Sequence, residues 1–249
     1  EDPARGGSRS SVTGPLRDHE VQAVADVFAA PDRFDEACER LREQRVLVLT
    51  GGAGTGKRTG AVRLLSKTGC DKITVLSPSQ TLGSLTEHDL RSGRGYIVLD
   101  WFGVDHRSSP AEHRYLWSLL LRHVQDSGAH LVLTCDQSAF FGPAAPVFTW
   151  TRPHADEVIR RHLHREWSRA GEVSDEATGA VEIVVKQLPD EVPVADLVAV
   201  ARAMADGESP LEAVDRILRS SSRDRVEEWF GSAPDPREIA EAAALGLLP

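Results

Sequence analysis

The chain has 249 residues, 41% of them hydrophobic and 27% charged, the balance of an ordinary globular protein with one large or two modest domains. A formal net charge of −9 and a pI near 5.5 exclude a broad basic face for nucleic acid. Cys38, Cys70 and Cys135 lack C-x-x-C spacing, which excludes a disulfide framework and a zinc site, and no apolar run approaches the roughly 20 residues of a membrane-spanning helix.

A reducing, cytoplasmic setting fits that cysteine usage. The chain begins without Met or a signal-like segment, so it reads as a piece of a longer protein whose other domains are its partners. Residues 1–15 are rich in Gly, Ser, Arg and Pro with little to bury, and are expected to form a flexible lead-in. From Leu16 to Ala30, Val21, Val24 and Phe28 fall at i, i+3 and i+7; from Arg33 to Gln44, Phe34, Cys38 and Leu41 share a face. Two helices are therefore expected ahead of the first strand, either lying against a bound base or simply covering a sheet edge.

Strands are predicted at 46–50, 73–76, 96–100, 131–134 and 147–150, each separated by helix-like sequence. Short apolar runs alternating with helices predict an α/β domain over 16–152 with a parallel sheet covered on both faces. The helix at 109–125 is marked by Ser109 as N-cap, Pro110 in the first turn and Glu112 after it, with Tyr115, Leu116, Leu119, Leu120 and Val124 as its apolar stripe. After Trp150 the strand signal stops. Ile159, Leu163 and Trp167 recur at helical spacing, and 174–188, 193–205 and 210–219 continue in that period, predicting an all-helical domain over 153–230. The capping pattern of Ser209-Pro210-Leu211-Glu212 recurs as Asp235-Pro236-Arg237-Glu238. Residues 231–249 are too apolar for a free tail and are expected to form a C-terminal helix or open a further helical domain.

The segment Gly51-Gly52-Ala53-Gly54-Thr55-Gly56-Lys57-Arg58-Thr59 lies between the first predicted strand and a helix, as G-x-x-x-x-G-K. Glycines let backbone N–H groups approach a polyphosphate, the helix start adds free amides and partial positive charge, and the lysine reaches the outer phosphates. ATP or ADP is the expected ligand. The pattern departs at Arg58, where a Ser or Thr would ligate Mg2+; Thr59 comes one residue later, turned by about 100° on a helix. The metal is therefore in question, and Arg58 could place its own charge near the phosphates.

Asp100 ends the third predicted strand, where a carboxylate can hold a hydrated metal ion beside the phosphates. Thr134 and Asp136 end the fourth, where a polar group can report the γ-phosphate; Thr134 is a candidate catalytic residue with Asp100. Next to Asp100 stands Trp101 instead of a water-activating Glu, and Asp105 is the nearest substitute. Arg152, Arg160 and Arg161 are candidates to reach phosphate or serve a neighbouring subunit. His162 and His164, two apart, face different sides of a helix, and Trp101, Trp117, Trp150 and Trp167 read as packing residues.

With this phosphate loop, an acidic third strand, a polar-ended fourth, a fifth strand and then a helical bundle, residues 20 to about 230 resemble the AAA+ and STAND class of P-loop NTPases, most of all the STAND-like modules of actinobacterial multidomain proteins. Arg45 to Thr59 and Gly95-Tyr96-Ile97-Val98-Leu99-Asp100 carry the resemblance. It implies a sheet of order 5-1-4-3-2, a helical lid, and ATP/ADP exchange driving a signalling or oligomerisation switch, with a homo-oligomer as a possible state. Lys57 and Asp100 match by position, and Pro189 corresponds to the family's lid proline, with Gln187 where the family has Gly. The metal-ligating hydroxyl, the second acidic residue and a sensor arginine on the fourth strand are missing. The expectation is a nucleotide-binding regulatory module with slow or absent hydrolysis; the alternative is a protein-interaction scaffold with a degenerate loop.

Overall fold

The structure is a computed structural model that describes residues 13–101, 109–135, 144–170 and 177–231. Asp105, Asp136 and the segment expected over 231–249, apart from its first residue, lie outside the described residues. The chain divides into two compact units between Arg161 and His162.

The first unit is built on a six-stranded sheet. Strands β1 (Gly14–Pro15), β2 (Val46–Thr50), β3 (Lys72–Leu76), β4 (Arg94–Val98), β5 (His130–Cys135) and β6 (Val147–Thr149) lie in the order β1-β3-β4-β5-β2-β6. The five strands predicted from apolar runs are parallel, and in their own numbering they stand as 5-1-4-3-2. The sixth, β1, is an antiparallel addition beyond β3, pairing Gly14 with Val75 and Pro15 with Thr74. This corrects the flexible lead-in at its C-terminal end. An edge strand tolerates Pro, which has no N–H to give, and Leu16 then donates its N–H to the Ile73 carbonyl at 2.8 Å.

Alternation within the buried strands sorts the core into two layers. Leu47, Leu49, Ile97 and Val132 face one cluster with residues of the helices α2 (Phe34–Gln44) and α3 (Lys57–Lys67). Val46, Val48, Tyr96, Val98, Leu131 and Leu133 face the other, with residues of α4 (Leu82–Thr86) and α5 (Pro110–Ser127). Successive side chains of a strand point to opposite faces, so only near-continuous apolar runs fill both layers. The preface helix α1 (Asp18–Val27) packs on α3, with Val21, Val24 and Phe28 partly buried as its spacing predicted. On α5 the stripe is corrected: Trp117, Leu120 and Val124 are buried, whereas Tyr115 is 63% exposed. Tyr115 sits about 200° around the helix from Trp117, so one faces solvent when the other faces the sheet.

The helical part contains α6 (Ala155–Ala170), within which the two units divide, α7 (Ala177–Gln187), α8 (Val194–Ala205) and α9 (Pro210–Gly231). Val181 and Val184 of α7 and Leu197, Val200 and Ala201 of α8 are buried at the i, i+3 and i+4 spacing of one face per helix, and the adjacent Ala213 and Val214 of α9 are buried as well. Pro193 precedes the first turn of α8, and Ser209 before α9 donates its hydroxyl to the Glu212 carboxylate at 2.7 Å. Among the described residues no helix is long and apolar enough to cross a membrane.

Candidate functional site

The loop Gly51–Gly56 connects the carboxyl end of β2 to the first turn of α3. Gly54 and Gly56 have φ of 69° and 84°, a left-handed backbone in which a Cβ is strained. Gly56 is the N-cap of α3 and makes no side-chain cap. A helix leaves its leading N–H groups without intrahelical partners, so an anion at this turn meets both free amides and the positive end of the helix dipole. Gly52, Ala53 and Gly54 are exposed, while Gly51 and Thr55 are buried; the Thr55 hydroxyl donates to the Gly52 carbonyl at 2.9 Å and closes the loop on itself.

Lys57 is only 7% exposed, and its ammonium donates to the carbonyls of Gly51 and Gly52, both at 2.7 Å. A buried ammonium requires such partners, and two dipoles of its own loop supply them. Phosphate oxygens offered at this position would exchange for those carbonyls. Arg58 is exposed, and among the described residues it has no hydrogen-bond or ion-pair partner. The Thr59 hydroxyl donates to the Gly56 carbonyl at 2.9 Å, one turn back on its own helix.

Trp150, which sequence reasoning assigned to packing alone, holds this loop in shape. It follows β6, the neighbour of β2, and donates its backbone N–H to the Thr50 carbonyl at 2.6 Å and its indole N–H to the Thr55 carbonyl at 3.1 Å. A Cβ on Gly60 would lie 2.3 Å from the indole, and one on Gly51 would lie 2.6 Å from the Trp150 carbonyl oxygen. The signal was available in principle: a buried indole needs an acceptor, and the strand order 5-1-4-3-2 puts Trp150 beside the loop.

The acidic half of the site differs from expectation in its local geometry. β4 ends at Val98, so Asp100 belongs to a turn, exposed, with φ of 48°. Its N–H leaves the ladder and donates to the Thr134 hydroxyl at 2.9 Å, and the next N–H, of Trp101, donates to the Thr134 carbonyl at 2.7 Å. Asp tolerates this left-handed backbone better than most residues. Thr134 is 1% exposed, so its hydroxyl oxygen positions Asp100 from within the core. β5 separates β2 from β4, so with strands about 4.8 Å apart the two strands that lead to the phosphate loop and to Asp100 stand about 10 Å apart, with their carboxyl ends on the same side of the sheet.

Trp101 is buried, stacks edge-on against Trp117 at 6.0 Å and donates its indole N–H to the Gln80 carbonyl at 2.6 Å. An indole has no basic site with which to activate water. Arg160 and Arg161 are paired along their own helix with Asp156 and Glu157. Among the described residues no three His, Cys, Asp or Glu side chains gather as metal ligands. The donors at Arg58 and Thr59 do not fit a magnesium ion: one is a cation and the other hydroxyl is engaged by Gly56. At the amino-terminal end of β5, the Cys70 thiol lies 3.6 Å from His130 Nδ1, but burial pushes the thiol up and the imidazole down, so both are neutral and form no nucleophile pair.

No family model matches the sequence, and no curated protein matches it. Solved structures do. PCH-2 of C. elegans superposes with a TM-score of 0.55 at 14% identity over 83% of this chain and 75% of that one. A variant of RuvB from Thermotoga maritima gives 0.50 at 17% identity over 93% and 82%, and a Walker-type ATPase of Pyrococcus abyssi gives 0.50 at 13% over 81% and 75%. At these identities the likeness is one of fold. The neighbours are AAA+ and P-loop ATPases, and the chain has the α/β fold of that class.

Proposed function

We propose that this chain is a nucleotide-binding regulatory module: ATP or ADP binds at Gly51 to Thr59, and the helical half serves as a lid whose position depends on the nucleotide. The observation that carries this reading is the buried Lys57 ammonium, held inside a glycine loop between a parallel strand and a helix start. The two carbonyls are dipoles, so they offset the ammonium's charge only in part, and an anion's tail would offset it in full. Thr134 positions Asp100 toward the same edge, and hydrolysis is slow or absent because Trp101 occupies the water-activating position. Differential contacts to ATP and ADP would drive the change in domain arrangement or self-association, as in a STAND-like switch.

Calorimetric titration with ATP and ADP tests this. Micromolar or tighter binding that falls at least about ten-fold in Lys57→Ala supports it, since a lost charge-assisted contact is worth about 1.5–3 kcal/mol. Binding that survives Lys57→Ala unchanged defeats it. A second reading, a scaffold with a relic loop, is favoured by Trp101 and by the clasp of Lys57 on its own loop; absence of any nucleotide binding by the wild type would select it.

A further inference from the structure

The donors that should hold magnesium in this fold are replaced, and the replacement carries its own chemistry. The Thr59 hydroxyl, one residue past the ligand position, is spent on the Gly56 carbonyl at 2.9 Å, and that of Thr55 on the Gly52 carbonyl at 2.9 Å. Arg58, in the ligand position itself, is exposed on the second residue of α3, directly after the buried Lys57. Among the described residues no carboxylate pairs with Arg58, and none of the groups that could assemble a metal site gathers here. A divalent ion placed at that position would meet a guanidinium where it needs an oxygen.

Resting on the nucleotide-binding reading above, we propose that the site takes its nucleotide without magnesium, and that the Arg58 guanidinium supplies the positive charge the metal supplies in its relatives by fold. A guanidinium presents N–H donors in a planar fork that matches two phosphate oxygens, and it stays charged at every physiological pH. Lys57 and Arg58 then make two adjacent cations at the start of α3, one buried in the loop and one exposed. Asp100 changes role accordingly. With no metal to hold, its exposed carboxylate stands at the same edge as the bound anion and opposes it.

Three forms of the full chain, wild type, Arg58→Ser and Asp100→Asn, are titrated with ADP and with ATP, each in EDTA and in excess Mg2+. The wild type is expected to bind with the same Kd, within about two-fold, in both conditions. Arg58→Ser restores the usual hydroxyl; it should lose about ten-fold in EDTA and regain affinity on adding Mg2+. Asp100→Asn should bind about two-fold tighter in EDTA. Wild-type binding that tightens ten-fold or more with Mg2+, undiminished EDTA binding by Arg58→Ser, or weakened binding by Asp100→Asn overturns the assignment while leaving nucleotide binding intact. Absence of binding in every form overturns both. Arg58 and Asp100 are exposed, so neither change is expected to disturb the fold, and circular dichroism of each variant checks this.

Discussion

The loop after β2 and the turn after β4 leave the same edge of one sheet, yet the chain invests in them differently. At the loop, every neighbour serves the backbone shape: Gly51 and Gly60 make room for Trp150, and the indole N–H holds Thr55. At the turn, a buried tryptophan also appears, but Trp101 packs on Trp117 and hydrogen-bonds Gln80, and its side chain gives nothing to chemistry. One tryptophan holds the backbone of the glycine loop, the other packs within the core. Anion binding needs only fixed N–H groups and charge, whereas hydrolysis needs a base at a defined position, so the first can persist without the second.

Removing each indole separates these roles. Trp150→Ala should destabilise the first unit by about 3–5 kcal/mol in urea denaturation and abolish nucleotide binding with it. Trp101→Ala should cost a similar amount in stability, yet the protein that remains folded should keep its nucleotide affinity. Equal losses of affinity in the two variants would erase the distinction. Gly60→Ala comes next. In an ordinary helix interior that change gains up to about 1 kcal/mol, but the new Cβ would lie 2.3 Å from the Trp150 ring, so a net loss of about 1–3 kcal/mol is expected in thermal unfolding.

Thr134→Val tests the turn at smaller scale. It keeps the shape but removes the acceptor for the Asp100 N–H, and should cost about 1–2 kcal/mol in chemical denaturation. No change would mean that water serves Asp100 equally well. In the helical unit, burial pushes the His162 imidazole down to about 4, with the cations Arg202 and Arg165 adding to it and Glu166 opposing. Among the described residues its Nδ1 has no hydrogen-bond partner. The unfolded chain takes up this proton first as pH falls, near 6.5, so stability declines from there towards pH 4 and is fully present above 6.5. Discounted for partial exposure, the loss is about 1 kcal/mol, and His162→Phe should remove that part of the pH dependence of unfolding.

Five strands and the phosphate loop were legible because each is a local pattern: an apolar run, a glycine spacing, a lysine at a helix start; the order of the strands came only as what the resemblance implies. The positions of Ser109, Phe34, Cys38 and Leu41 followed from helix period and capping in the same way. Other features were misread for a common reason. Tyr115 and Trp117 are both aromatic on one helix, and which of them turns inward depends on where the sheet lies. β1 exists only because β3 leaves an open edge for Gly14 and Pro15. β4 ends early because a hydroxyl from another strand, Thr134, takes the N–H of Asp100.

The sequence by itself determined that a glycine loop with a lysine follows a buried strand, and that the residues suited to ligating a metal and activating water are absent from Arg58 and Trp101. Only the tertiary structure decided that Thr55 and Trp150, 95 positions apart, close one hydrogen bond, and that the Lys57 ammonium turns back on Gly51 and Gly52. Local spacing sets which backbone conformations are open to a segment. Which buried donor finds which acceptor is settled by how distant strands pair, because the cost of an unsatisfied buried polar group is felt only once the fold has excluded water from it.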